Sequence, residues 1–226
     1  MNPSVSSTPS GTLIVLDNQD SFTYNLVDEL AQLGFQVEVF RNTVELEVIT
    51  NRLASLSSNN NGKTAQPVTV VLSPGPGYPN EAGNMMALIQ HCVGRYPLLG
   101  ICLGFQAIIE HFGGTIGRCA NAAHGKSAII TTCAHPIFSQ ANGGLAREFT
   151  VARYHSLQAD QVPSELDIIA SYQGIPMAIC HQQLPIAGLQ FHPESIMTIR
   201  GSDILRSSIS FLTQGLKQAT LETQNA

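Results

Sequence analysis

The apolar run Leu13-Ile14-Val15-Leu16, closed by the turn residues Asp17 and Asn18, predicts a buried first strand. From Ser21 onward, Tyr24, Leu26, Val27, Leu30 and Leu33 recur at helical spacing, with Ser21 as N-cap and Gly34 as the stop. Val37 and Val39 alternate with polar neighbours into Phe40, a second strand, and Leu46 to Leu56 forms a weaker helix. Val68 to Leu72 is a third apolar run, followed by Ser73-Pro74-Gly75-Pro76-Gly77-Tyr78-Pro79, too rich in Pro and Gly for either element. A helix over about Asn84 to Val93 comes next, then a strand over 97–101 that runs into Cys102, and a helix from Leu103 to Phe112.

Beyond Gly114 the texture changes to short β-like runs: Ala128 to Thr132, Phe149 to Ala152, Leu166 to Ser171, Met177 to Cys180 and Ile186 to Phe191. An amphipathic helix over Asp203 to Leu216 ends the pattern. Strands alternating with helices in the first half predict an α/β fold. Its central sheet is mostly parallel and covered by helices on both faces, and the second half adds mixed or antiparallel strands. The polar segment 57–66 reads as a surface loop. The Ser-, Pro- and Thr-rich residues 1–10 are expected to be a disordered extension, residues 11–218 one domain, and 219–226 a flexible end.

Composition narrows the function classes. The chain has 226 residues, 43% of them hydrophobic, enough for one sizeable core. Eleven Lys plus Arg against sixteen Asp plus Glu gives a net charge of −5, with no basic cluster to neutralise a phosphate backbone, which disfavours nucleic-acid binding. No apolar run approaches the roughly 20 residues that span a bilayer, and the first residues lack the basic start and apolar stretch of a signal peptide; a cytoplasmic location is expected. The five cysteines, Cys92, Cys102, Cys119, Cys133 and Cys180, are scattered without a Cys-x-x-Cys pair, so neither a disulfide framework nor a metal site is suggested.

One cysteine stands apart by its neighbours. Gly100-Ile101-Cys102-Leu103-Gly104 has the Gly-x-nucleophile-x-Gly form of a strand that turns abruptly into a helix, the glycines relieving the crowding at the bend. At a helix N-terminus the partial positive charge favours a thiolate, so the Cys102 pKa is expected below the reference of about 8.5. A small buried Cys between packing glycines explains the pentapeptide alone equally well. Phe191-His192-Pro193-Glu194-Ser195 supplies a base and an orienting carboxylate, because residues i and i+2 of an extended segment point the same way. Ser73 to Gly77, directly after a strand, can offer a backbone N–H as an oxyanion donor, with the Leu103 N–H as the second. His124-Gly125-Lys126-Ser127 imitates the end of a phosphate-binding loop, but Ala120 stands where that motif needs Gly.

Pro-Gly-Pro-Gly at 74–77, Gly-Ile-Cys-Leu-Gly-Phe-Gln at 100–106 and Phe-His-Pro-Glu-Ser at 191–195 resemble the class I, triad-type glutamine amidotransferases in order and spacing across nearly the whole chain. The segments Asp17 to Asn25, Glu81-Ala82-Gly83, His124-Gly125-Lys126 and Arg153-Tyr154-His155-Ser156-Leu157 resemble the branch that serves chorismate-using synthases. Within that branch the glutaminase subunits of anthranilate synthase are the nearer likeness and those of aminodeoxychorismate synthase a near twin. The resemblance implies a flavodoxin-like fold and a triad of Cys102, His192 and Glu194, with Gly75 and Leu103 as the oxyanion hole. It places Gly75, Pro76, Gly77, Gln106, Tyr154, His155, Ser156 and Leu157 around glutamine. No cofactor is implied for this chain, Mg2+ being expected on the partner synthase. Phe105 departs from a His frequent in the family, a ring of similar size that argues for packing.

Ammonia released in water would be protonated and lost, so a docked chorismate-aminating partner is expected. Tyr78, His124, Gly125, Lys126, Met197 and Thr198 flank the crevice mouth and are the candidate interface. Two other classes compete: a free-standing γ-glutamyl thiol hydrolase, which would need no partner, and a non-catalytic docking protein, which would tolerate loss of the Cys102 thiol.

Overall fold

The computed structural model describes residues 11–58, 68–119, 125–139 and 148–224, with side chains to residue 215. The expectations for residues 1–10, for His124 and for most of the loop 57–66 lie outside the described residues. Along the described chain run β1 (Thr12–Asp17), α1 (Thr23–Gln32), β2 (Gln36–Arg41), α2 (Leu46–Ser57), β3 (Val68–Leu72) and a short 3-10 turn (Pro79–Glu81). Then come α3 (Met85–Cys92), β4 (Leu98–Ile101), α4 (Leu103–His111), β5 (Thr115–Arg118), β6 (Lys126–Thr132), α5 (Pro136–Ser139), β7 (Glu148–Arg153) and β8 (Leu157–Gln161). β9 (Leu166–Tyr172), β10 (Ile175–His181), β11 (Ile186–Leu189) and α6 (Gly201–Gln224) complete it.

Nine strands form one sheet in the order β2-β1-β3-β4-β11-β10-β9-β6-β7. The first five are parallel, the doubly wound order 2-1-3-4-5 with β11 in fifth place. β10, β9, β6 and β7 extend it in antiparallel fashion. The α/β class and the antiparallel completion therefore follow the sequence expectation.

Why the inner parallel strands β1, β3, β4 and β11 read as largely apolar runs, while the edge strand β2 alternates with polar residues, is visible in the packing. Successive side chains point to opposite faces, and both faces are covered. Leu13 and Val15 join one core with Leu26 and Leu30 of α1 and Ile204, Leu205 and Ile209 of α6. Ile14 and Leu16 join the other with Ile49 and Leu53 of α2, Leu88 and Ile89 of α3, and Phe105 and Ile108 of α4.

The local structure differs from the sequence reading in three places. Ser21 does not cap α1: the Asp20 carboxylate accepts the Phe22 N–H at 2.8 Å and the helix starts at Thr23, capped by no side chain. α6 continues past the expected Leu216 to Gln224. β5 and β8, absent from the periodicity reading, pair as a separate antiparallel ribbon. Their half-polar sequences, Thr-Ile-Gly-Arg and Leu-Gln-Ala-Asp-Gln, bury too few apolar positions to stand out.

Candidate active site

Carboxyl ends of adjacent parallel strands are where an open α/β sheet presents groups to a crevice. β4 ends in Cys102, which has φ 51 and ψ −97 and serves as the N-cap residue of α4. A non-glycine residue at positive φ is strained by about 1–3 kcal/mol, and the surroundings must hold it. They do so by close approach. A Cβ on Gly100 would lie 2.4 Å from the Gly104 carbonyl, and one on Gly104 would lie 2.5 Å from the Leu72 carbonyl oxygen of β3. The Cys102 N–H donates to the Leu189 carbonyl of β11 at 2.8 Å, tying the elbow to the neighbouring strand.

β11 runs parallel to β4 with Leu189 opposite Ile101, so the residues after Leu189 emerge beside the elbow. Beyond the strand end, His192 is buried and its Nδ1 lies 2.7 Å from Glu194 Oε1, an ion pair with both side chains out of water. Burial lowers the imidazole's affinity for its proton, but the Cys102 sulfur and the Glu194 carboxylate outweigh it and raise the His192 pKa to about 10. His192 Nε2 makes no hydrogen bond among the described residues, which leaves it available to the sulfur and to a leaving group. The imidazole is hemmed by rings: Phe22 at 5.0 Å and Tyr154 at 5.1 Å between centroids, with Phe22 and Tyr154 4.7 Å apart.

The resulting cleft of ≈ 290 Å³ is lined by Cys102, His192, Gly75, Pro76, Gly77, Gln106, Tyr154, His155, Ser156 and Leu157, which brings together every residue the sequence placed around glutamine. Neither the Gly75 nor the Leu103 N–H is engaged by another backbone group among the described residues, as an oxyanion site requires. The Asn18 N–H donates to Ser73 Oγ at 2.9 Å and Asn18 Nδ2 to the Ser73 carbonyl at 2.9 Å, fixing the loop that leads to Gly75. A second recess of ≈ 470 Å³ adjoins the cleft through Gly77, Ser156 and Leu157 and is lined by Tyr78, Arg118 and Cys119 as well.

The wall opposite the elbow comes from the antiparallel half. His155 Nδ1 donates to the Leu157 carbonyl at 2.7 Å, and its Nε2 accepts from Arg153 Nε at 3.1 Å. Burial, with the nearby Arg153 and His192 charges adding to it, outweighs the Leu157 hydrogen bond and lowers the His155 pKa to about 4, so this ring is neutral where His192 is charged. Burial pushes the thiols of Cys92 and Cys180 up to about 12.

Sequence reading missed several residues. Asp20, Ser21 and Phe22 line the cleft, although they lie some eighty residues before the elbow. Gln190 and Arg153 are buried polar groups that hold the site from behind; the signal available was a polar residue inside an otherwise apolar run. At the expected interface Gly125 and Lys126 are exposed and Tyr78 and Met197 half-buried. Thr198 is corrected: it is buried, its hydroxyl donating to the His192 carbonyl and accepting the Ala152 N–H at 3.0 Å, so it braces the base and does not face outward. Fully exposed Ile196 takes that outward position. Among the described residues no group of three His, Cys, Asp or Glu side chains can hold a metal ion, and no helix is long and apolar enough to cross a membrane.

Residues 14–211 match the family model described as glutamine amidotransferase class-I. The chain is 43% identical over 199 residues to "Anthranilate synthase component 2" of Vibrio parahaemolyticus, covering 88% of this chain and 95% of the relative. It is 43% identical over 201 residues to the protein of the same name from Haemophilus influenzae, covering 88% and 97%. The Helicobacter pylori protein of that name is 40% identical over 200 residues, covering 88% and 97%. Among solved structures, a Thermoplasma acidophilum protein described as a putative GMP synthase subunit superposes with a TM-score of 0.75 at 26% identity, covering 97% of this chain and 100% of that one.

Proposed function

Since the chain belongs to the class I glutamine amidotransferase family, we propose that it hydrolyses glutamine at Cys102 and delivers the ammonia to a docked synthase that aminates chorismate to anthranilate, in the tryptophan pathway. The observation that carries this reading is the strained elbow cysteine beside a buried His192–Glu194 pair, inside one cleft with Gly75 to Gly77 and Tyr154 to Leu157. The fold alone does not name the acceptor, because a solved structure with this fold is described as part of a GMP synthase. The choice of acceptor rests on relatives at about 40% identity over nearly the whole length.

The chemistry follows from the geometry. The Cys102 thiolate attacks the side-chain amide carbon of glutamine, and the Gly75 and Leu103 N–H groups hold the oxyanion. His192, charged at neutral pH, gives its proton to the departing nitrogen, and ammonia leaves a γ-glutamyl thioester. Neutral His192 then takes a proton from water, which attacks the thioester and releases glutamate and the thiolate. Glu194 orients the imidazole and stabilises its charged form. Gln106, Ser156 and Leu157 hold the α-amino and α-carboxylate end, with Tyr154 and His155 as the wall. These steps use no cofactor in this chain, and Mg2+ is assigned to the synthase.

The partner docks on the rim carrying Tyr78, Gly125, Lys126 and Met197, in the cytoplasm. Because ammonia has value only to that partner, the isolated chain has low glutaminase activity. The test is to copurify the chain with its synthase from the host and supply glutamine and chorismate. Anthranilate is the expected product. Aminodeoxychorismate would reassign the acceptor, and partner-free hydrolysis of γ-glutamyl peptides would replace the reading.

A further inference from the structure

The parallel register that sets Leu189 opposite Ile101 also sets the next residue, Gln190, beside Cys102. Gln190 is fully buried, its backbone N–H bound to the Met177 carbonyl at 2.9 Å and its side-chain Nε2 3.7 Å from the Cys102 sulfur. Its Oε1 accepts from Gln106 Nε2 at 3.1 Å, and the same Gln106 nitrogen donates to the Leu157 carbonyl at 3.4 Å. A backbone carbonyl can only accept, so Leu157 dictates which end of the Gln106 amide faces it. That nitrogen has two hydrogens, and the second meets Gln190, whose oxygen must turn towards Gln106. The Gln190 amide nitrogen is then the group left to face the sulfur. Reversing Gln190 would set two NH2 groups against each other and a carbonyl oxygen against the sulfur, losing one hydrogen bond and adding a repulsion.

We propose that Gln190 is a further catalytic residue: its amide, oriented by the Leu157 carbonyl through Gln106, donates to the Cys102 sulfur and favours the thiolate. A donor to the charged form stabilises that form, and it does so more effectively where water is excluded. The arrangement also joins the wall that would hold glutamine to the nucleophile, since the Leu157 carbonyl is itself fixed by His155 at 2.7 Å. The inference rests on Cys102 being the nucleophile of the proposed function.

The test is the alkylation rate of Cys102 by iodoacetamide at neutral pH in the full-length chain, followed on the peptide that carries it. Exposed Cys133 serves as the internal control. In Gln190→Met, which keeps the volume and removes the donor, the Cys102 rate is expected to fall about tenfold, the size of one hydrogen bond to a charged group. The Cys133 rate stays unchanged, and kcat for glutamine falls in parallel while KM stays within about twofold. Gln190→Glu is expected to be slower still, because a carboxylate repels the thiolate. A wild-type Cys102 rate in Gln190→Met, or a rise in KM alone, would overturn the proposal. If Gln190→Met unfolds, shown by Cys92 and Cys180 becoming reactive, Gln190→Asn decides: it keeps a buried amide but withdraws it from the sulfur, and the same slowing is expected, a wild-type rate being contradictory. Slowed alkylation in a chain that releases no ammonia with any synthase would sink the proposed function and with it the catalytic role of Gln190, leaving only its hydrogen bond to the Cys102 sulfur.

Discussion

The two halves of the nine-stranded sheet contribute different things to one cleft. The parallel half ends in the groups proposed to react: Ser73 to Gly77 after β3, Cys102 after β4, and Gln190, His192 and Glu194 after β11. Its strands are clamped between two apolar cores, so those groups sit on backbone that cannot yield. The antiparallel half contributes the wall, Arg153 to Leu157, which leaves the buried end of β7 and is held by side-chain hydrogen bonds. Two histidines mark the contrast: His192, charged and paired, and His155, neutral and buried. In the proposed reaction the bond-making groups come from the parallel side, while the glutamine pocket is shared between Gly75 to Gly77 and Gln106 on that side and Tyr154 to Leu157 on the other.

The largest break in that comparison is Cys102→Ser. Glutamine-dependent ammonia release should fall by about 10⁴-fold or more, while synthesis from added ammonium salt by the complex is retained; equal loss of both activities would show a folding defect instead of a lost nucleophile.

Next comes the pH dependence of stability, where the two histidines act in opposite directions. His155 has its folded pKa lowered to about 4 from an unfolded 6.5, so its contribution is present above pH 6.5 and is lost as pH falls through 4. His192 is raised to about 10, so its contribution is present below pH 6.5 and is lost as pH rises through 10. Urea unfolding from pH 4 to 10 should show a stability maximum near pH 6.5 that falls away on both sides, the acid limb amounting to about 2–3 kcal/mol. His155→Gln should flatten that acid limb alone, because a glutamine can still donate to Leu157 and accept from Arg153 without taking up a proton.

Gly104→Ala is a smaller perturbation on the rigid side. Its Cβ would press on the Leu72 carbonyl oxygen at 2.5 Å, and a loss of about 1–3 kcal/mol by denaturant unfolding is expected. Smallest is Arg153→Met on the antiparallel side. It frees His155 Nε2, and KM for glutamine should rise about fivefold with kcat little changed, since a wall residue contributes about 1 kcal/mol of uniform binding; a kcat effect as large as that of Gln190→Met would erase the distinction between the halves.

Legibility in the sequence followed the same division. The elbow, the His-Pro-Glu pair and the Pro-Gly-Pro-Gly turn were readable because each is a local device whose residues and spacing are dictated by backbone geometry. The inner parallel strands were readable because burial on both faces makes them largely apolar runs, and the edge strand β2 because it alternates. What escaped depends on distant chain segments meeting. Asp20 to Phe22 reach the cleft only because β1 lies beside β3, and Gln190 meets the sulfur only through the β4–β11 register. Thr198 reads as a surface residue beside Ser195 to Met197, yet its hydroxyl is consumed by two backbone groups inside the molecule. The β5–β8 ribbon was invisible because its alternation is half polar.

Whether the Cys102 sulfur carries the glutamyl group is read out by acid-quenched mass spectrometry of the chain turning over isotope-labelled glutamine with its synthase. Labelled glutamyl carbon is expected on the peptide bearing Cys102, and none in Cys102→Ser. Ammonia release accompanied by label on Cys119, or by no labelled protein under conditions that trap thioesters, would contradict it.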